Sequence, residues 1–374
     1  MFTEINILFT RVLTDLRIRN AMIARKWDDK NAFKILIVCN NGEGKHISQS
    51  QIYPFHYFSQ GFRARWGIEF RQFHISDIET RLAQIPEDAD MIFFQPWFTD
   101  GLEKIIRSIN VLKQRNPRSK VVFFDSFAPL DLRFAEAVNP LVDYYVKKHV
   151  FLDRSRYGIA TQGDTNLVDF YEQLYGLPAS SETLFSVPPN FWPKLIVGPS
   201  FFTSREMLNR IHSATTPLFN NKKYSVHARL TVKGTPWYQA MREHALSACN
   251  SFTRSGIVTS EYITNSKYMR ELEQSKICFS PFGYGEVCWR DYEVIMCGAL
   301  LVKPDMAHVQ TDPNIFVPYE TYVPVAWDFS DLEEKLNYYL ADDAARSKIV
   351  NGAYDTLHQY LKNHEFLDQF TSLF

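Results

Sequence analysis

The densest group of residues with chemical potential lies between positions 280 and 304, in the stretch SPFGYGEVCWRDYEVIMCGALLVKP. A strand is predicted to end at Ser280, a loop with Gly283 and Gly285 follows, and a helix is predicted to begin near Trp289. Glycines let a backbone approach a ligand closely, and a helix N-terminus offers free N–H groups to a phosphate. The pattern therefore suits a phosphate-bearing ligand.

Three charged side chains in this stretch add to that interpretation. Arg290 falls in the first helical turn, where it can make charge-assisted hydrogen bonds to phosphate oxygens. Glu293 shares its helix face and can accept both hydroxyls of a ribose. Glu286 lies in the loop, within reach of a sugar. A plain helix start is the alternative, because acidic residues favour the first half of a helix and glycines favour turns.

The segment RDYEVIMCGALLVKPDM, with the acidic loop, short strand and two charged helical segments after it, resembles the C-terminal half of glycosyltransferases with the two-domain B-type fold. It is most similar to families with an R-x-x-E-A-x-x-x-G signature and also resembles exostosin-like members. The likeness covers residues 276–360 well and the second domain loosely, whereas the first half matches only in architecture. The resemblance implies transfer of a sugar from a nucleotide diphosphate sugar to a hydroxyl of a glycan, a lipid or a small molecule.

The resemblance also implies roles for single residues. In retaining members with an E-x7-E motif, the second glutamate binds the donor ribose and the first lies near the sugar, which implies these roles for Glu293 and Glu286. Here six residues separate them, so the retaining or inverting outcome stays open. Similar enzymes hold the donor diphosphate with R-x4-K-G, and Arg229 and Lys233 occupy this place one residue closer together. The predicted donor-binding set is Arg229, Lys233, Ser280, Gly283, Gly285, Arg290 and Glu293.

The acceptor side is expected in the first half of the chain. The polar loop NNGEGKHISQSQIYPF (40–55) follows the first strand, and in B-type enzymes this loop faces the cleft. His46 and Glu43 are candidate catalytic bases there, because a base must lie near the incoming hydroxyl. Asp125, which ends the strand KVVFFD, is another. Three further cations are expected to be ordinary surface charges: Arg133, Lys147 and Lys148.

Alternating apolar and amphipathic runs predict the elements that position these residues. Continuous apolar strands separated by helices indicate parallel sheets covered on both faces, with ligands at the carboxyl ends of the strands. Residues 177–200 are rich in proline and are a candidate crossover or interdomain linker. The main strands are predicted at 34–40, 67–75, 91–96, 120–125 and 143–149, and then at 223–230, 277–283, 299–304 and 322–327.

The predicted fold class is α/β, with two doubly wound Rossmann-like domains that face each other across a cleft. A length of 374 residues fits two domains better than one. We expect an acceptor-side domain with an N-terminal helix over residues 1–200 and a nucleotide-sugar-binding domain over 201–352. Residues 353–374 are expected to form a helix that crosses back to the first domain, as in similar enzymes.

Composition and charge narrow the partners. The formal net charge of -1 gives no broad surface for a polyanion, so nucleic acid is not expected as a main partner. The five cysteines form no C-x-x-C pair and indicate free thiols in a reducing compartment. EDAD (87–90) contains the D-x-D with which A-type transferases hold a metal, but it precedes its strand and predicts a solvated turn. No metal and no cofactor are expected.

The N-terminal segment predicts an amphipathic helix, because apolar residues recur at helical spacing at positions 2, 5, 9, 12, 16 and 18. This helix can dock on its own protein or on another subunit, or lie on a membrane surface beside a lipid-linked acceptor. No apolar run approaches the roughly 18 residues of a membrane helix. A cytoplasmic location is expected, with peripheral membrane contact as an option.

Two other functions fit the same architecture. A non-catalytic, two-lobed protein could bind a nucleotide sugar as a sensor. A sugar-nucleotide epimerase could interconvert sugars without releasing the nucleotide. The sequence leaves the nucleotide base, the sugar, the acceptor and the oligomeric state open.

Overall fold

The computed structural model of the chain describes residues 2–24, 26–40, 46–213 and 222–374. Its helices, joined in places by short 3₁₀ turns, are α1 (Phe2–Ile23), α2 (His46–Tyr57), α3 (Ser59–Trp66), α4 (Asp77–Thr80), α5 (Leu102–Arg115), α6 (Ala135–Val138), α7 (Asn166–Leu174), α8 (Arg205–Ser213), α9 (Pro236–Ser247), α10 (Asn265–Glu273), α11 (Trp289–Met296), α12 (Leu332–Ala341), α13 (Asp343–Lys362) and α14 (Glu365–Gln369). Its strands are β1 (Phe33–Cys39), β2 (Ile68–His74), β3 (Met91–Gln95), β4 (Lys120–Asp125), β5 (Tyr144–Lys147), β6 (His149–Phe151), β7 (Thr161–Gln162), β8 (Glu182–Thr183), β9 (Leu195–Val197), β10 (Tyr224–Arg229), β11 (Ile257–Thr259), β12 (Ser275–Phe279), β13 (Leu300–Pro304), β14 (Val309–Thr311) and β15 (Val323–Val325).

Two parallel sheets organise these elements. The first has the strand order β2-β1-β3-β4-β5-β9 and the second β11-β10-β12-β13-β15, with parallel pairing throughout. Helices cover both faces, so the central strands are apolar without alternation, as Ile35 to Val38 are in β1, where all four side chains are buried. The predicted α/β fold class with two Rossmann-like sheets is confirmed.

A short antiparallel ribbon joins the two halves. β6 follows β5 of the first sheet and pairs with β14, which follows β13 of the second sheet. The strand predicted at 143–149 is therefore two strands, because the chain leaves the first sheet after Lys147 and pairs with the other half from His149 onward. This ribbon fixes the ends of β5 and β13 beside each other.

The proline-rich stretch at 177–200 does more than link the two halves. Its strand β9 pairs in parallel with β5 and completes the first sheet, so the part of this candidate crossover or linker that includes β9 belongs to the first sheet. The phenylalanines that follow, Phe201 and Phe202, are buried in the core. The domain boundaries at residues 200 and 352 remain a prediction.

The end of the chain contacts the first sheet and its helices. Phe366 is fully buried, with its ring centroid 5.3 Å from that of Phe55 and 5.2 Å from that of Phe58. The Asp368 carboxylate pairs with Arg65 of α3. Because these contacts join the two ends of the sequence, they hold the second half of the chain against the first.

Helix α1 has two different faces. Thr14 and Ala21 are buried on the face that packs toward α8 and β2, and Asp15 pairs with Arg205 of α8. The opposite face exposes an apolar stripe: Phe9 (62% exposed), Val12, Leu16 and Ile23 (59% exposed). The side chains of Phe2 and Ile5 lie outside the described part of the chain. Among the described residues, no helix combines the length and apolar character of a membrane span.

We expect Phe366→Ala to lower the free energy of unfolding by about 3–5 kcal/mol, because it leaves a cavity among the rings of Phe55, Phe58 and Phe62. Chemical denaturation measures this loss. Phe98→Ala is the control, since Phe98 is 43% exposed and its replacement should cost less than about 1 kcal/mol. Equal losses in both variants would contradict the packing of the chain end described above.

Candidate functional site

The carboxyl ends of the two sheets meet, and the loops that follow β4 and β12 touch. A Cβ atom on Gly285 would lie 2.2 Å from the carbonyl oxygen of Ala128. Glycine is required there because the two backbones pass too close for any side chain. This close approach places the residues after β12, including Glu286, against the first sheet. Backbone packing therefore explains why residue 285 is a glycine. The predicted contact of Gly285 with the donor stays a prediction.

Ionisable side chains line this boundary, and all are buried. We call them the buried charged seam: Asp125, Lys147, Lys148, His149, Glu286, Asp291 and Lys303. Most lie at or just after the end of a strand; Glu286 lies in the loop before α11, and Asp291 lies in the first turn of that helix. Charges are costly to bury unless they are paired. The ion-pair and hydrogen-bond partners of each group therefore show which of these charges are compensated within the chain.

On the first sheet, the Asp125 carboxylate accepts hydrogen bonds from the Lys147 ammonium and the Tyr145 hydroxyl, each at 2.7 Å. Lys148 donates to the Ser126 carbonyl at 2.8 Å, and burial with the neighbouring Lys147 lowers its pKa to about 7. Both lysines are completely buried, so the expectation that they are surface charges is wrong. They lie at and just after the end of β5, and the second half of the chain covers this end through the β6–β14 pairing.

Arg133, expected with those lysines to be a surface charge, is also mostly buried. It makes a bidentate ion pair with Asp131, with the Nε atom 2.7 Å from Oδ1. It also lies over the ring of Phe127, 3.7 Å from the ring centroid.

On the second sheet, Lys303 pairs with Asp291 at 3.2 Å. The same carboxylate accepts from the Ser280 hydroxyl at 2.7 Å and from the Cys288 backbone N–H at 2.8 Å. Asp291 therefore caps the N-terminus of α11, and the hydrogen bond from the Ser280 hydroxyl holds the Asp291 carboxylate in place.

Glu286 and His149 face each other across the boundary, but neither has a close ion pair like those described above. The His149 Nε2 atom lies 3.9 Å from Glu286 Oε2, and neither group has a hydrogen bond of good geometry to a described residue. Burial raises the pKa of Glu286 to about 7, and burial with the cations of Lys147 and Lys148 holds the pKa of His149 well below its usual range. Unsatisfied buried polar groups are costly and mark places where a ligand can supply the partner.

A second group of side chains lies around α11 and α10. Tyr268 donates to Glu293 Oε2 at 3.0 Å and accepts from Arg290 Nε at 3.2 Å, while Arg290 also donates to the Arg229 carbonyl at 2.7 Å. The Arg229 guanidinium makes a bidentate pair with Glu271, at 2.9 and 3.0 Å. Burial raises the pKa of Glu293. This network orients Glu293 and two arginines in one place.

Two adjoining clefts open beside this network and share Tyr268 and Arg290. One, of about 250 Å³, is lined also by Arg229, Glu261, Tyr262, Ile263 and Asn265. The other, of about 200 Å³, is lined also by Arg242, Ser280 and Glu293. The structure thus brings together four residues of the predicted donor-binding set: Arg229, Ser280, Arg290 and Glu293.

The other predicted site residues are placed differently. Lys233 is exposed in the loop after β10 and lines neither cleft, and the Cβ position of Gly283 faces Cys288. Asp125 is buried and ion-paired, so it has no open path to an acceptor in this conformation. Glu43 lies outside the described residues, as does the side chain of His46, the first residue of α2. The roles assigned to these residues remain predictions.

The sequence did not reveal His149, Tyr268, Asp291 or Lys303 as parts of the site. One signal was available: Lys147, Lys148 and His149 end or directly follow an apolar strand, where ligand-binding residues of parallel sheets lie.

The EDAD segment (87–90) does not form a metal site among the described residues. Asp90 accepts a hydrogen bond from the Lys34 backbone N–H, and exposed Asp88 lies 3.9 Å from Arg118. Within the described ranges, no three His, Cys, Asp or Glu side chains converge as a metal site would require.

Known glycosyltransferases are similar to this chain in its C-terminal sequence and in its fold. Residues 210–372, less than half of the chain, match a family model described as glycosyl transferase-like. A solved alpha-glucosyltransferase (AGT) in complex with UDP has 10% identity and a TM-score of 0.50, over 90% of this chain and 100% of that one. An alpha-glucosyltransferase with UDP and a 13-mer DNA containing a central A:G mismatch has 12% identity and a TM-score of 0.52, with the same coverage.

The search of curated proteins gave no match. Nothing in the comparisons supports the exostosin-like subgroup, which stays a prediction. At such low identity the solved structures show the fold alone. The chain has the B-type glycosyltransferase fold, and its C-terminal part has a glycosyl transferase-like sequence.

Proposed function

We propose that this chain is a glycosyltransferase that moves a sugar from a nucleotide diphosphate sugar to a hydroxyl acceptor without a metal ion. The observation that carries the proposal is that Arg290 and Glu293 of α11 line adjoining clefts, while Glu286, in the loop before that helix, is buried and unsatisfied and faces His149 of the other half. The glycosyl transferase-like sequence match spans all three residues. Each part of a donor then has a candidate partner.

The nucleoside fits the two clefts at the carboxyl edge of the second sheet. The Glu293 carboxylate accepts the ribose hydroxyls, and the Tyr268 hydroxyl bond at 3.0 Å holds it in place. The base enters the neighbouring cleft, where the ring of Tyr262 is 87% exposed and suited to stacking. Arg290 and Arg229 lie beside this position and neutralise the diphosphate, with Lys233 reaching in from its loop.

The donor sugar belongs between the sheets, next to Glu286 and His149. Its hydroxyls supply the hydrogen bonds that both buried groups lack, once the loops at Gly285 and Ala128 part to admit it. Closure around the sugar excludes water and strengthens the fixed charges nearby. Arginines and lysines at this boundary stabilise the negative charge on the leaving diphosphate, so we expect no metal requirement.

The partners follow from charge and surface. The DNA in one solved structure belongs to that protein's complex, and this chain's net charge of -1 provides no broad electrostatic attraction for nucleic acid. The exposed stripe of α1 supports peripheral membrane contact at a cytoplasmic location as part of the proposal. A sensor or an epimerase with the same donor clefts is the alternative.

The direct test of the donor site is titration of the purified chain with UDP, GDP, ADP, CDP and TDP by calorimetry. We expect one of them to bind with micromolar affinity and a 1:1 ratio. Absence of binding by all five would contradict the proposed function.

Glu293→Gln should weaken binding of that nucleoside diphosphate about ten- to a hundredfold. The amide keeps the size of the side chain but removes its charge, and a hydrogen bond to a charged group contributes about 1.5–3 kcal/mol, with 1.4 kcal/mol for each factor of ten. Glu334→Gln, on the exposed face of α12, is the matched control and should bind as the parent does. Unchanged affinity in Glu293→Gln together with a much lower melting temperature would make Glu293 a structural residue only.

Glu286→Gln should stabilise the fold at high pH. Burial raises the pKa of Glu286 to about 7, so the folded chain keeps a proton that the unfolded chain loses near pH 4.5. The stability contributed by this group is therefore present at low pH and declines as the pH rises through about 7. The neutral amide does not titrate.

Urea denaturation of parent and variant at pH 5 and pH 8 measures this difference. We expect the advantage of Glu286→Gln to grow by about 2 kcal/mol between the two pH values, since one pKa unit corresponds to 1.36 kcal/mol. The control Glu334→Gln should differ from the parent in free energy of unfolding by the same small amount at pH 5 and at pH 8. An advantage of Glu286→Gln that does not change with pH would mean that Glu286 ionises normally.

A further inference from the structure

A third cleft, of about 250 Å³, lies apart from the two donor clefts. It is lined by Asp131 and Leu132 in the loop after β4, by residues between Phe151 and Phe185, and by Trp327 in the loop after β15 of the other half of the chain. The lining residues that matter here are Asp131, Arg156, Asp164, Asn166, Phe170 and Trp327. Both halves of the molecule therefore form it.

The polar wall of this cleft is acidic. Asp131, Asp164 and Asp169 line it against a single lining cation, Arg156. Arg133, outside the lining, orients two of the carboxylates: its Nε atom lies 2.7 Å from Asp131 and its Nη2 atom 3.2 Å from Asp164. Held carboxylates with spare acceptor sites suit hydroxyl donors, and their charge disfavours phosphate-bearing ligands.

The same cleft is also lined by aromatic rings. Phe170 and Trp327 meet edge to face, with ring centroids 5.0 Å apart, and both remain partly accessible. An accessible aromatic ring together with fixed polar groups matches a sugar ring, whose C–H groups pack on aromatic faces while its hydroxyls bind polar side chains.

Asn166 connects this cleft to Glu286. It is only 9% exposed, and its Nδ2 group has no hydrogen bond of good geometry to a described residue, although the amide lies near enough to Glu286 to favour the ionised carboxylate. Thr165 caps α7 by accepting from the Val168 N–H, which fixes Asn166 as the first residue of that helix. The cleft therefore ends one side chain away from Glu286, with an unfilled donor at that end.

We propose that this cleft is the acceptor subsite and that the acceptor is an uncharged saccharide. This proposal rests on the proposed function, because it names the acceptor of the same reaction. The saccharide packs on Trp327 and Phe170, its hydroxyls bind Asp131 and Asp164, and Asn166 binds the hydroxyl nearest to Glu286. An anionic acceptor such as DNA or a lipid-linked phosphate does not suit the acidic wall.

The test is binding of maltose, lactose, cellobiose and sucrose to the whole chain, measured by saturation-transfer difference NMR and titration without donor. We expect at least one to bind. Asp164→Asn and Asn166→Ala should each weaken that binding about five- to tenfold, as expected for one hydrogen bond. Glu182→Gln removes an exposed charge on β8, outside the cleft lining, and should leave binding unchanged.

Nucleoside diphosphate titration of the same variants separates the two proposals. Affinity equal to that of the parent shows that the variants fold and that their effect is confined to the acceptor cleft. Failure of all four saccharides to bind, or equal binding by Asp164→Asn, Asn166→Ala and the parent, would overturn the acceptor subsite. A chain that binds saccharides but no nucleoside diphosphate would overturn the proposed function instead.

Discussion

Charged side chains are buried where the two sheets meet, and their pairing fixes how the nearby strand ends are arranged. A buried charge is strongly destabilising when its partner is missing, so each one at this boundary must be matched. Asp125 with Lys147, and Asp291 with Lys303, are such matched pairs at 2.7 and 3.2 Å. Each pair ties a strand end to its neighbouring element. Each pair stays within one half of the chain, and the β6–β14 ribbon joins the two halves.

Glu286 and His149 are the exception to this matching. Both are as buried as the paired groups, yet 3.9 Å separates them and no good hydrogen bond satisfies either. Burial keeps Glu286 protonated at an unusually high pH and His149 neutral. Unsatisfied buried polar groups of this kind mark places where a ligand can supply the missing partner. Asn166, which lines the acidic cleft, lies next to Glu286 and links that cleft to the pair.

The sequence predicts the sheets well because buried parallel strands are continuous apolar runs, which are visible without any tertiary information. It fails where the partner of a segment is distant in sequence. The split after Lys147 depends on β14, more than 150 positions away, and the burial of Lys147 and Lys148 depends on the same cover. Local spacing also predicted that a helix beginning near Trp289 carries Arg290 and Glu293, as α11 does. Tyr268, which orients both, comes from another helix, and no local pattern could assign it.

We propose that the two clefts beside Tyr268 and the unsatisfied pair of Glu286 and His149 serve sugar transfer, and the decisive measurement is acceptor-dependent release of nucleoside diphosphate. The chain would be incubated with the sugar form of the nucleotide that it binds, with and without the neutral saccharides, and free nucleoside diphosphate would be measured over time. We expect release that rises strongly with one of the saccharides, together with a glycosylated product. A nucleotide sugar that stays bound and intact under every condition, or whose sugar is converted without release of nucleotide, would contradict it.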